Sequence, residues 1–188
     1  VAAAKASKVI DPFKAYMNAE RFRIADNTLR NVGPMALPAV GGPTLVLSAF
    51  ASELYLKCLI ALDSNRVATG HELRTLFLML SQELKTSIEA RWDAHCAEPS
   101  QIKVFELIGK LENIVIPRDL RWHLKQGNDA FVSLRYIHEE NNSGPKFFLG
   151  DFHNMVREVI LELRPDWANK VHGPAKQLGN INDPAMPA

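Results

Sequence analysis

The sequence predicts an all-α fold, an up-and-down bundle of five to six helices around one core. Three observations carry this expectation. Apolar residues recur at spacings of three and four along most of the 188-residue chain. Asp, Ser and Pro stand where several of these stripes begin, as helix starts require. No stretch alternates apolar and polar residues as a half-buried strand would.

The elements follow in order. Asp11 before Pro12 pairs an N-cap with a first-turn proline, so a helix runs from there to about Arg30. Gly33, Pro34, Pro38, Gly41, Gly42 and Pro43 then predict a loop. The second helix spans about residues 44–64 and is apolar on nearly every face, as befits the centre of a bundle. A third begins near His71, with Leu73, Leu76, Phe77, Leu80, Leu84 and Ile88 on one stripe, and ends before Pro99. Ser100 caps a shorter helix bearing Val104, Phe105, Leu107, Ile108 and Leu111. Pro117 opens the next, with Leu120, Leu124, Phe131 and Leu134 inward and a kink at Gly127 and Asn128. Residues 139–150 read as a loop with a short extended piece near Lys146–Leu149. Asp151 caps a last helix with a stripe of Phe152, Met155, Val156, Val159, Ile160 and Leu163. The domain reading is a flexible N-terminus over 1–10, a bundle over 11–164 and a flexible tail over 165–188.

Composition narrows the function classes. Hydrophobic residues at 47% and charged residues at 23% exclude wholesale disorder. A net charge of +1 advertises no polyanion partner, although a local patch remains open. Two cysteines, Cys58 and Cys96, without a CxxC argue against a disulfide scaffold or a Cys-rich zinc module, and a reducing cytoplasm is expected. No secretory h-region is visible near the N-terminus. The apolar run Leu45 to Leu62 is long, but Glu53 and Lys57 at its centre favour a buried helix over a membrane span. The histidines form no HExxH or His-x-His set, there is no Gly-rich phosphate loop, and no metal or cofactor is expected. Trp92, Trp122 and Trp167 read as packing residues rather than base-stacking platforms.

Three constellations can carry chemistry. Glu53 and Lys57 lie four apart on the apolar helix and so share a face. They are either a pair at its solvent edge or a holder for a polar group from another helix, with Arg135 the candidate. Gly70-His71-Glu72-Leu73 is a helix start, or a site built at one. Arg135 and His138 lie three apart on one face beside Tyr136. Histidine can transfer protons near neutral pH, and the arginine fork can hold a phosphate. The structural alternative is an ion pair for Arg135 and a rim position for His138.

The ordered set Ser48-Ala-Phe-Ala-Ser-Glu53-Leu-Tyr-Leu-Lys57, Gly70-His71-Glu72-Leu73-x-x-Leu76-Phe77 and Phe131-x-x-Leu134-Arg135-Tyr136 resembles the HEPN (higher eukaryotes and prokaryotes nucleotide-binding) superfamily over about residues 45–165. The resemblance implies a helical bundle, a homodimer, and a role in bacterial toxin–antitoxin or phage-defence systems. RNA or a nucleotide would be the ligand, an antitoxin or nucleotidyltransferase the protein partner. Helix two and the last helices would supply the dimer face. Many members are metal-independent ribonucleases with an Arg-x(4–6)-His motif; others are catalytically inert binding or scaffold units. Arg66 to His71 and Arg118 to His123 both fit that spacing; the family's motif sits on a late, long helix, so the resemblance favours Arg118 to His123, which also has Asp119 after the arginine. On this reading Arg118 and His123 are the catalytic candidates, with Arg135 and His138 beside them. Glu53, Lys57, His71, Arg135 and Tyr136 form a ligand site or an internal polar network.

Overall fold

The computed structural model describes residues 10–32, 37–128 and 149–170. Among them the fold is all-α, with no strand. Helix α1 is Pro12–Arg30, α2 Leu37–Ser64, α3 Leu73–Leu78, α4 Gln82–Ala97, α5 Pro99–Glu112, α6 Leu120–Gly127 and α7 Phe152–Leu163. A short 3-10 turn, Pro165–Trp167, follows α7.

Helix α2 is the central element. It packs against α1 along its length and against α3 and α7, while α4 joins α7 to α5 and α6. Its buried residues include Ala51, Tyr55, Leu56, Cys58, Leu59 and Ile60. The span Ala39–Ser64 is long and apolar enough to cross a membrane, but 61% of its most apolar window is covered by the rest of the chain. That burial is the mark of a core helix.

Asp11 caps α1 as expected, its Oδ1 accepting from the backbone N–H of Phe13 at 3.0 Å and Lys14 at 3.3 Å. Five boundaries differ from the sequence reading. Helix α5 starts at Pro99, so Ser100 lies inside it rather than capping it, and α6 starts at Leu120 behind Asp119 rather than at Pro117. Helix α2 starts at Leu37 and takes in Gly41, Gly42 and Pro43. Pro43 deprives the carbonyl four residues earlier, that of Ala39, of a helical donor. Ala39 is exposed, so water can replace that donor. The expected third helix is two, because Ser81 starts α4 with its Oγ accepting from Leu84 N–H. The break is fastened by Asp63, which accepts from Ser81 N–H at 2.8 Å, and by Arg66, which donates to the Met79 carbonyl at 2.7 Å. The stripe from Leu73 to Ile88 stays buried across it.

The last difference is at the C-terminal side. Trp167, placed by the sequence reading at the start of a tail, is 2% exposed. Its ring meets Phe13 at 5.2 Å and Tyr16 at 5.1 Å, so the core extends past residue 164. Phe131, Leu134 and the extended piece expected near 146–148 lie outside the described residues.

Candidate functional site

Glu53, Lys57 and His71 come together. Lys57 follows Glu53 by one turn of α2, and its Nζ donates to Glu53 Oε1 at 2.6 Å. Gly70, at φ 90°, turns the chain just ahead of α3 and brings His71 back over α2. His71 Nδ1 lies 3.0 Å from the same Glu53 oxygen. A carboxylate only accepts, so Nδ1 is the donor in this contact and Nε2 is the ring nitrogen left outside it. Glu53 is 6% exposed, whereas the His71 side chain is 70% exposed. A buried carboxylate therefore orients an imidazole that faces solvent, with an ammonium beside it. Among the described residues, the polar partner supplied from outside α2 is His71; Arg135, Tyr136 and His138 lie outside the described residues.

The two Arg-x(4)-His matches are placed differently. Arg66 is tied by Nε to Ser64 Oγ at 2.9 Å and by its guanidinium to the end of α3. His123 is fully buried, its Nε2 2.7 Å from the Pro117 carbonyl and its ring within 5.4 Å of the Trp92, Phe105 and Trp122 rings. Burial pushes its pKa down, with only partial opposition from the Pro117 carbonyl. Arg118 is exposed, and its backbone carbonyl accepts from Trp92 Nε1 at 2.8 Å. Its side chain lines a groove of about 500 Å³ with Glu106 and Lys110. An exposed guanidinium and a walled-in imidazole do not make an open acid–base pair, so this geometry argues for a packing role at His123.

A larger polar array was not anticipated from sequence. Tyr16, Glu20, Arg23, Asp26 and Arg30 recur at spacings of three and four on α1. They meet Tyr55 of α2 and His153 and Arg157 of α7, and His153 in turn meets Ser48 of α2. Glu20 is fully buried; it accepts from the Tyr55 hydroxyl, from Arg157 Nε at 2.5 Å and from Arg23 Nη2 at 2.9 Å. Burial alone would raise its pKa, but these donors hold it below the usual carboxylate range. Burial first, and Glu20 second, push Tyr55 well above the usual phenol range. Asp26, also fully buried, takes Arg30 Nε on both oxygens at 3.0 Å; burial outweighs that partner, and its pKa is raised.

His153 completes the array. Its Nδ1 is 3.1 Å from Ser48 Oγ, and Nε2 stands 3.7 Å from Asp26 without a hydrogen bond. Burial, then the Arg30 cation, push its pKa down to about 4. The residue types are those of a hydrolytic triad, but all three side chains are fully buried. The Ser48 hydroxyl donates to the Gly150 carbonyl at 3.1 Å, which leaves no nucleophile facing solvent. The array is a packing device. Cys58 and Cys96 are also inert, since burial pushes their thiols up to about 12 and about 11.

Among the described residues, no group of three or more His, Cys, Asp or Glu is arranged to hold a metal ion. No protein-family model, no curated protein and no solved structure matches the chain.

Proposed function

We propose that this chain is a HEPN-like helical bundle that binds RNA or a nucleotide through the face where Glu53, Lys57 and His71 meet. The up-and-down arrangement, the cytoplasmic setting and a place in a bacterial defence or toxin–antitoxin system belong to the same reading. The observation that carries it is the exposed His71 ring fixed by the buried Glu53 carboxylate next to Lys57. Such a trio presents one donor cation and one imidazole to a phosphate oxygen, while the carboxylate is already satisfied. Of the four histidines among the described residues, only His71 presents an exposed ring; His95 is half-buried, and His123 and His153 are buried. Metal-independent cleavage, where the chain performs it, is accordingly assigned to His71 and not to His123.

A second reading is a catalytically inert module acting through a protein partner. The committed, buried state of His123 favours it. In that case Glu53, Lys57 and His71 serve only to seat the start of α3 on α2.

Incubation with end-labelled tRNA in EDTA separates the readings, run beside His71→Ala, Lys57→Met, His123→Ala and Arg135→Ala. Retarded RNA with wild type, weakened at least several-fold by His71→Ala and Lys57→Met, supports RNA binding. Full activity in His71→Ala and loss in His123→Ala would overturn the assignment. RNA unbound and intact in every lane, with nucleotides also unbound, would leave the inert module.

A further inference from the structure

A groove of about 500 Å³ runs between α5 and the chain that leads from it to α6. Volumes of this order take small molecules. Its wall is aliphatic: Ile102 comes from α5, and Ile114 and Ile116 from the connection, all half-buried. Three exposed charged side chains line the same groove, Glu106, Lys110 and Arg118. Glu106 and Lys110 stand four apart on one helix, the spacing at which such residues commonly pair. Yet among the described residues none of the three makes an ion pair or a side-chain hydrogen bond. Val115 and Ile116, beside them, make no backbone hydrogen bond among the described residues either.

We infer that this groove binds a free amino acid with an aliphatic side chain. Lys110 and Arg118 hold its carboxylate, Glu106 holds its ammonium, and Ile102, Ile114 and Ile116 cover its side chain. The unpaired charges select this class of ligand. Two cations beside an arginine fork suit a carboxylate. A phosphate would meet the same cations but would bring a second negative charge to Glu106. A nucleobase would find no free ring to stack on, because Phe105 is buried and already stacks on His123 with ring centroids 5.4 Å apart. A fatty acid would leave Glu106 unpaired. Residues 129–148, outside the described ones, are the competing occupant, since they carry both apolar and charged side chains. Their described neighbours do not open on this groove. Asn128 Oδ1 accepts from Arg74 N–H of α3 at 3.0 Å, and Gly150 lines a second groove with Val104 and Ile108, on another side of α5. An internal stretch of chain, from this protein or another, also lacks the paired ammonium and carboxylate that the three charges ask for.

The test is calorimetric titration of the full chain at neutral pH with L-leucine, N-acetyl-leucine, leucinamide and glycine, each into the tens of millimolar. Circular dichroism serves as the folding control for the variants, all of which change exposed side chains. Wild type is expected to bind leucine saturably. N-acetyl-leucine, which lacks the ammonium, and leucinamide, which lacks the carboxylate, should each bind at least tenfold more weakly, about the worth of one hydrogen bond to a charged group. Glycine should also bind more weakly, because it leaves the aliphatic wall bare. Lys110→Met and Arg118→Met should weaken leucine and N-acetyl-leucine alike. Glu106→Gln should weaken leucine and leave N-acetyl-leucine unchanged, which a general loosening of the groove would not do. A wild type that binds no leucine, whether because residues 129–148 fill the groove or because nothing does, would overturn the inference. So would N-acetyl-leucine or leucinamide binding as tightly as leucine, or leucine binding that is indifferent to the Lys110 and Arg118 changes.

Discussion

Glu20 carries a carboxylate into a position with no solvent exposure, and three helices meet there to satisfy it. Its donors come from α1, α2 and α7, through Arg23, Tyr55 and Arg157. Removing one member of such a set is costly because the others stay buried and unpaired. Glu20→Ala is expected to lower unfolding stability by about 3–5 kcal/mol in urea titration. Arg121→Ala, which breaks the more exposed ion pair with Glu89, should cost no more than about 1 kcal/mol. A small loss at Glu20 would mean that the array does not hold the helices together. His153 adds a pH dependence. Its folded-state pKa of about 4 lies below the unfolded value of 6.5, so the neutral ring favours folding above that value. This stability is lost as pH falls from about 6.5 towards about 4, by roughly 3 kcal/mol in all. His123, also shifted down, acts in the same direction. Asp26, shifted up, acts in the opposite direction, its burial penalty easing as pH falls through its raised pKa. Melting temperatures of wild type should therefore fall over that window, and those of His153→Gln should fall less. Equal slopes would remove His153 from the account of acid sensitivity. Sequence inspection finds Glu53 and Lys57 because charge stands out on an apolar helix. It passes over Glu20 and Asp26 because charged residues are spread among the apolar ones along α1, and spacing alone does not say which polar stripe is buried.

At the scale of elements, the long apolar stripes and the Asp11 cap are readable from sequence, whereas the breaks are not. Ser81 divides α3 from α4 although the apolar spacing runs on through it. What stops the helix is contact with Asp63 and Arg66, residues distant in sequence. Pro43 reads as a loop residue, yet one missing hydrogen bond at an exposed helix start is tolerable. The end of α5 gives a sharper case. Asn113 closes the helix at φ 52°, and Ile114 N–H donates to the Gly109 carbonyl at 2.9 Å. A Cβ at Gly109 would stand 2.7 Å from the Ile114 carbonyl oxygen. Gly to Ala inside a helix ordinarily gains about 1 kcal/mol. Gly109→Ala is expected to lose stability instead, seen as a lower melting temperature, because backbone must move to admit the methyl group. A raised melting temperature would show that the cap yields easily. Asp119, whose carboxylate accepts from Trp122 N–H at 2.9 Å, caps α6, and Asp119→Ala should cost about 1 kcal/mol.

For the whole molecule, a net charge of +1 and a core built around α2 leave two distinctive surfaces among the described residues: the polar trio at the start of α3 and the apolar flank of α5. The all-α class was readable because periodicity is a property of each segment. The site was readable only in part. Glu53 and Lys57 declare themselves within one helix, but their pairing with His71 depends on the turn at Gly70. The burial of His123 depends on aromatic rings from α4, α5 and α6, which no spacing rule brings together. RNA or nucleotide binding at His71 is the central claim, and histidine-selective NMR of the labelled full chain during titration with a short single-stranded RNA, and separately with nucleotides, tests it most directly. The expected result is a saturable shift of the His71 ring signals, abolished in Lys57→Met, while the signals of buried His123 and His153 stay in place. Unmoved His71 signals at the highest concentration of every ligand would contradict it.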